Sequence, residues 1–452
     1  MEKRRDVRNL TFKLQDHNTG TVAYVLKGFV LIFLGFIIAR IYSTPGSDLR
    51  ERVSVTVNSF SDLPNHCESA QPIPATEFYN RQQRLADILH SLNASAYIAE
   101  PGANAQYFGN VSTTSWKLSE RPLLLIVSPI LENDQPKAKI FVLTPSFESS
   151  RAKLLPIPHD KVEYIEWTED ANPYEVAASV LPSRSKIYMD DAARLFIFDG
   201  FRKALPNANV LPAHPDIKEL RQRKSEAEIS LLKCANEATL LAIRAVHKKM
   251  TIGMRESEAR GMMSMALRAI GLENGGCLTL FGDNAALPHG SGTDRTLRES
   301  DFALFDCGGS LHGYMSDVTR TVALPPSKIP FEDLAIWMDV RTAQTMASRA
   351  AIAGAVAQDV DAEARLALQK YTAYFTHRLG HGIGLEGHET PYLRGGSLDI
   401  IKTGHTFSNE PGVYIEGKVG VRLEDCFYIN ANGQPVFLTE NVGGQAFDPW
   451  NP

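Results

Sequence analysis

Along the chain, the first strong departure from mixed polarity is GFVLIFLGFIIA, Gly28 to Ala39, an uncharged run closed by Lys27 and Arg40. As a helix it spans about 18 Å, against roughly 30 Å of bilayer hydrocarbon, so alone it is too short to cross. Extended to Thr21–Ser43, with Lys27 and Arg40 snorkelling towards the two interfaces, it becomes long enough. It reads as an uncleaved signal anchor, with the apolar region of a cleaved secretory signal as the alternative. Lys3, Arg4, Arg5, Arg8, Lys13 and Lys27 on one side outnumber Arg40, Arg50 and Arg52 on the other. That asymmetry favours a cytosolic amino terminus and a translocated body, lumenal or extracellular, or secreted after cleavage.

After a basic tail (1–20) and the apolar segment (21–43), residues 44–73 are rich in Ser, Pro and Asn without sustained periodicity and read as a linker. In FYNRQQRLADILHSL, Leu85, Ile88, Leu89 and Leu92 recur at helical spacing, and AYIA, PLLLIVS and KIFVLT are short apolar runs between turn residues. That alternation predicts a small α/β domain over 74–212, with LPAHPDIKEL marking its boundary. Beyond it, KSEAEISLLKCANEATLLAIRAVHKKM predicts a long amphipathic helix with Ser225 and Glu228 at capping-box spacing, and RESEARGMMSMALRAIG a second, ended by Gly271. Runs such as FALFDCGG, YMSDVTRTVAL, GVYI and VRLEDCFYI read as strands, so 213–452 is expected to be α+β, its helices grouped against a sheet.

Composition narrows the function classes. With 452 residues, 44% hydrophobic and 22% charged, the chain can bury a large core. A formal net charge of −5 gives no electrostatic reason to expect nucleic acid as a partner. Five cysteines (Cys67, Cys234, Cys277, Cys307, Cys426) with no CxxC pair suggest neither a disulfide scaffold nor a thiolate zinc site, and most are expected to be small buried hydrophobes. Asn93-Ala-Ser and Asn110-Val-Ser are usable glycan acceptors if the body is lumenal.

The candidate chemistry is spread over more than a hundred residues. FDCGGSLHGYMSDVTRT holds Asp306 and Asp317 on two strands joined by a Gly-containing turn, able to bring both carboxylates to one end of a sheet. SNEPGVY offers Glu410 before a Pro-Gly turn. VRLED offers Glu424 within an otherwise apolar strand, where Arg422, Glu424 and Cys426 share one face while Leu423 and Asp425 point the other way. Charged residues seldom sit buried unless paired or holding a cation, and an Arg422–Glu424 salt bridge is the plain structural alternative. THRLGHGIGLEGHE adds three histidines among glycines, without the glycine-lysine-serine pattern of a phosphate loop.

Taken in order, Asp306, Asp317, His381, Glu410 and Glu424, set in GYMSDVTRT, GHGIGLEGHE, NEPG and VRLED, resemble the pita-bread metallopeptidases, in particular the prolidase and Xaa-Pro aminopeptidase branch. The resemblance covers roughly residues 74 to 445 and includes a creatinase/prolidase-like amino-terminal domain before the pita-bread catalytic domain. It implies two divalent ions, with Asp306 on the first, His381 and Glu410 on the second, and Asp317 and Glu424 bridging. Four carboxylates and an imidazole suit Mn²⁺, the expected metal, or Co²⁺ or Zn²⁺. The resemblance further implies a bridging hydroxide as nucleophile, Glu410 as its base, His388 stabilising the oxyanion, and His289 near the substrate nitrogen. His377 and Arg422 would complete the substrate-binding pocket. The expected reaction is hydrolysis of the bond between an amino-terminal residue and proline, in a dipeptide or a longer peptide, by a chain that forms a homodimer. A non-catalytic binding module of the same fold, or an aminopeptidase of other specificity, is the competing reading. HETPYLRGG places Tyr392 near the position where dipeptidases of the branch carry a carboxylate-binding arginine, with Arg394 beyond it.

Overall fold

The computed structural model describes residues 60–452, and the basic tail, the apolar segment 21–43 and residues 44–59 lie outside the described residues. Among the described residues, no helix is long and apolar enough to cross a membrane. Two α/β layers are built in succession.

The first comprises helix α1 (Ala75–Ser91), β1 (Ala96–Ala99), α2 (Ala103–Gly109), β2 (Leu124–Glu132), β3 (Gln135–Pro145), the single turn α3 (Ser149–Ala152), β4 (Val162–Trp167), α4 (Pro173–Ala178), β5 (Lys186–Met189), α5 (Leu195–Ala204) and β6 (Asn209–Pro212). Its six strands lie in the order β4-β3-β2-β1-β5-β6, with β1 antiparallel to β2 and parallel to β5. Alternation along β2 explains the two-sided burial: Leu125 and Val127 pack on one face with Leu85, Leu89 and Phe108, while Leu124 and Ile126 pack on the other with Ile197 and Phe201.

Helix α6 (Pro215–Gln222) leads into α7 (Glu226–His247), where Ser225 and Glu228 form the expected reciprocal capping box. Then follow α8 (Glu256–Ala269), β7 (Glu273–Phe281), β8 (Ala303–Leu311), β9 (Tyr314–Met315) and β10 (Val318–Val322). Helices α9 (Phe331–Ala350) and α10 (Ala357–Ala367) precede β11 (Gly380–Gly382), β12 (Glu389–Leu393), β13 (Thr406–Asn409), β14 (Gly412–Ile415), β15 (Val419–Arg422), β16 (Asp425–Ile429) and β17 (Pro435–Phe437). The strands make a β10-β8-β7 sheet with β9 on β8, a five-stranded β12-β11-β13-β16-β17 sheet and a β14-β15 ribbon. One core packs α7 and α8 against β7, β8 and β10, and another packs α9 and α10 against β13, β15 and β16. The helices thus cover the sheets from outside and leave the strand ends to meet between the two cores.

Three expectations are corrected. Residues 60–73 are not a free linker, because Phe60 and Cys67 are each 4% exposed and join the core under α7. His66 also pairs with Glu237 at 2.7 Å. The cysteines are not mainly unpaired hydrophobes: Cys67 is bonded to Cys234 and Cys277 to Cys307, leaving Cys426 free and buried. The second pair sits directly across the β7–β8 register, and the first joins positions 167 residues apart, which no local spacing reveals. Finally, VRLEDCFYI is two strands, since β15 ends at Arg422 and β16 begins at Asp425, in different sheets. Leu423 and Glu424 form the crossover.

Candidate metal centre and active site

Two of the five carboxylate and imidazole positions lie within strands, and three lie in the short connections that join strands. Asp306 lies on β8 opposite Thr319 of β10. Asp317 lies in the connection between β9 and β10, its backbone N–H donating to Asn236 Oδ1 at 3.2 Å. His381 is the middle residue of β11, Glu410 follows β13 directly, and Glu424 occupies the β15–β16 crossover. The glycines flanking His381 serve close packing: a Cβ on Gly380 would come within 2.0 Å of Ser408 O, and one on Gly382 within 2.6 Å of Glu389 O.

The side chains converge in overlapping groups whose ligand atoms lie within 4.8 Å of one another: Asp306, Asp317 and Glu424; His381, Glu410 and Glu424; and Asp317, His381 and His388. Glu424 belongs to the first two groups and Asp317 to the first and third, so both stand between neighbouring positions. His381 Nε2 is 3.2 Å from Glu410 Oε1 and 3.7 Å from Asp317 Oδ2. His381 Nδ1 meets Gly382 O at 3.0 Å, which turns Nε2 and its lone pair towards the carboxylates.

The electrostatics are those of an acidic cluster short of cations. Burial, then Glu424, Asp306 and Glu410, push the Asp317 carboxyl well above the usual range. Burial, then Glu410 and Asp306, do the same to Glu424. Burial raises Glu410 to about 7 despite the nearby Arg422. Glu424 Oε2 accepts from Thr319 Oγ1 at 2.6 Å, whereas Oε1 is buried with no hydrogen-bond partner. An orphaned buried carboxylate oxygen among like charges fits a cation better than any protein donor present. Oxygen-rich donors with one imidazole suit hard to borderline divalent ions.

The remaining candidates line the same cavity of about 470 Å³, with Pro288, His289, His377, Arg378, His388, Arg394 and Arg422 around the carboxylates. His388 stacks near His381, ring centroids 4.0 Å apart, and is exposed, as is His289 at the rim. Burial and neighbouring positive charges lower His388 to about 4. His377 is likewise lowered to about 4, mainly by burial. Both are neutral imidazoles at neutral pH. Arg422 is not paired with Glu424 among the described residues; its Nη2 donates to Asp306 Oδ2 at 2.7 Å and its Nη1 to Tyr414 Oη at 2.9 Å. Tyr414 Oη in turn meets His377 Nε2 at 2.8 Å. That Asp306–Arg422–Tyr414–His377 chain escapes sequence reasoning at Tyr414, although GVYI after the Pro-Gly turn carries it. Arg320, also missed, fixes the crossover by donating to Glu424 O at 2.7 Å and to Asp425 Oδ1 at 2.8 Å.

A carboxylate-rich centre held between two helix-covered sheets defines a metallo-exopeptidase. Residues 230–431 match metallopeptidase family M24, and residues 81–223 match the creatinase/prolidase N-terminal domain. An uncharacterized peptidase of Schizosaccharomyces pombe is 36% identical over 404 residues, covering 87% of this chain and 88% of that one. The chain belongs to this family, with the pita-bread fold behind a creatinase-like amino-terminal domain. A crystal structure of a dipeptidase from Pyrococcus horikoshii superposes with a TM-score of 0.67 at 28% identity, over 79% of this chain and 97% of that one. A prolidase from Thermococcus sibiricus gives 0.69 at 27% identity, over 82% and 98%. The family implies divalent metal ions.

Proposed function

We propose that the protein is an Xaa-Pro dipeptidase, using two divalent ions, Mn²⁺ foremost, held by Asp306, Asp317, His381, Glu410 and Glu424. When bound, the ions would supply Lewis acidity and a water activated for attack. Everything else falls to the chain's own groups. Glu410, whose Oε1 lies 3.2 Å from His381 Nε2 and 3.0 Å from Ser408 Oγ, is the carboxylate we assign to take the water's proton. His388, a neutral imidazole facing the cluster, offers one N–H to the oxyanion that develops on the scissile carbonyl. To His289, which lines the rim, we assign delivery of a proton to the departing imino nitrogen. Arg422 and Tyr414 hold Asp306 and His377 in place.

The observation that carries the dipeptide reading is Arg378. It is half-buried in the cavity wall, its guanidinium stacks 4.6 Å over Tyr392, and that guanidinium has no ion pair or hydrogen bond among the described residues. Arg394 lies 6.0 Å from the same ring on the cavity rim. A guanidinium without a partner beside a hydrolytic centre suits a free substrate carboxylate, which sits within such reach only when the substrate is two residues long. A proline ring brings no N–H, and the scissile imide therefore asks for no acceptor.

The body is read as translocated, with residues 21–43 as its anchor. The basic residues before that segment and the two disulfides support this. The reading includes a homodimer, which the solution mass checks. The test of the activity is hydrolysis of Ala-Pro against a Gly-Pro-containing tripeptide, with and without Mn²⁺. Metal-dependent cleavage of Ala-Pro, with the tripeptide slower, is expected, and Arg378→Ala should raise KM for Ala-Pro. Equal or faster cleavage of the tripeptide would move the assignment to an aminopeptidase, and no cleavage with any divalent ion would favour a binding module.

A further inference from the structure

We infer that Asn93 is an N-glycosylation site, and that Asn110, which carries the same tripeptide pattern, is not; the inference rests on the translocated body proposed above. Two independent features meet here. Four of the five cysteines are paired, as expected of a body that matures in an oxidising compartment, where oligosaccharide transfer to Asn-X-Ser/Thr also takes place. The second feature is how the fold treats the two sequons.

Asn93-Ala94-Ser95 forms the short turn between α1 and β1. Its backbone is fixed, with Asn93 N donating to His90 O at 3.0 Å and Ser95 N to Lys186 O at 2.8 Å. The Asn93 side chain, by contrast, is exposed and engages no described residue. Its φ of +51° lies in the left-handed region that asparagine tolerates, as does the +57° of Asn110, so backbone conformation does not separate the two and side-chain surroundings do. Asn110 caps α2, is half-buried, and donates through Nδ2 to Pro156 O at 3.2 Å. The next residue, Val111, is fully buried, and the Ser112 hydroxyl donates at 3.1 Å to Thr114 Oγ1. Transfer meets the chain before folding is complete, but only a glycan that the finished surface can carry survives without cost. At Asn93 the sugar stands in water; at Asn110 it has to share a nitrogen that already donates to Pro156 O.

The chemistry needs a lipid-diphosphate-linked oligosaccharide and its transferase. Asn93 Nδ2 attacks the anomeric carbon, and the new N–C bond forms as the C–O bond to the diphosphate breaks. The bonding pair leaves on the lipid diphosphate and one amide proton passes to a base on the transferase. A third sequon, Asn9-Leu10-Thr11, precedes the apolar segment and reports the opposite orientation.

The experiment expresses the full chain in eukaryotic cells as wild type, Asn93→Gln, Asn110→Gln and Asn9→Gln. Gel mobility is compared before and after peptide N-glycosidase, together with protease protection of the body in sealed microsomes. The expected result is a protected body carrying one glycan, lost only in Asn93→Gln, with Ala-Pro hydrolysis by that variant unchanged. A protected body with no glycan, or with its glycan on Asn110, overturns the assignment of Asn93 while the translocated body stands. A body open to protease, or a glycan on Asn9, overturns both.

Discussion

Glu424 and Asp425 are adjacent in sequence and almost fully buried, yet their surroundings differ completely. Asp425 faces outward into a satisfied network: Oδ1 accepts from Arg320 at 2.8 Å and Thr439 at 2.7 Å, and Oδ2 from Gln344 at 3.1 Å. The two terminal nitrogens of Arg320 also donate to the Thr319, Glu424 and Gly444 carbonyls, while its Nε is buried without a partner. Glu424 faces inward among Asp306, Asp317 and Glu410, with one oxygen orphaned and its carboxyl pushed up by its neighbours. The two side chains separate the uses of a buried charge. One is neutralised within the chain and holds the crossover in shape; the other is left for something the chain does not supply.

The sharpest way to break the comparison is at the satisfied side. Arg320→Met should leave Asp425 buried and unpaired and cost roughly 3–5 kcal/mol of folding stability, read by denaturant unfolding. An effect under about 1 kcal/mol would show that the network is not structural. At the other side, Glu424→Gln keeps the shape and removes one of four clustered charges. Its Mn²⁺-dependent hydrolysis should fall by about 10²–10³-fold, the scale seen when a group stabilising transition-state charge is lost, while the metal-free protein stays at least as stable as wild type. Loss of stability in that variant would erase the distinction between the two residues.

A third effect concerns pH. Glu410 titrates near 7 in the folded, metal-free chain, above the ordinary carboxyl value, and Asp317 and Glu424 shift the same way. A raised folded value means the folded state keeps its proton while the unfolded state has lost it. Stability of the metal-free protein should therefore be highest below about 4.5 and fall as pH rises towards 7, by about 1.4 kcal/mol per pH unit for each carboxyl involved. Thermal or urea unfolding in chelator across that window checks it, and added Mn²⁺ should flatten the slope. The smallest effect is expected at Tyr414→Phe, which removes the hydroxyl between His377 and Arg422. Two lost hydrogen bonds of about 0.5–1 kcal/mol each correspond to a fall in kcat/KM of about five- to thirty-fold, measured with Ala-Pro.

The same comparison explains what could be read in advance. Local devices were legible, because the Ser225/Glu228 capping box and the alternation in β2 depend on residues a few positions apart. The inward position of Glu424 and the opposite position of Asp425 followed from period-two alternation, even though the strand assumed there is a crossover between two sheets. The five positions proposed as metal ligands were singled out through their surrounding words rather than their individual chemistry, and the fold brings their side chains together. Pairings between distant segments were not: Cys67 with Cys234, Arg320 with Asp425, and Tyr414 with His377 depend on how sheets stack, and a cysteine or tyrosine in a strand looks the same whether it packs or bonds. Arg378 was equally silent, since its meaning lies in the partner it lacks.

Metal binding by the chelator-stripped protein tests the central claim most directly, with Mn²⁺ titrated calorimetrically near pH 6 in buffers of different ionisation enthalpy so that released protons are counted. The account predicts two ions per chain, with protons released as the raised carboxyls ionise, and loss of at least one ion in Glu424→Gln but not in Tyr414→Phe. Saturation without ion uptake, or stoichiometry and proton release unchanged by Glu424→Gln, would contradict it.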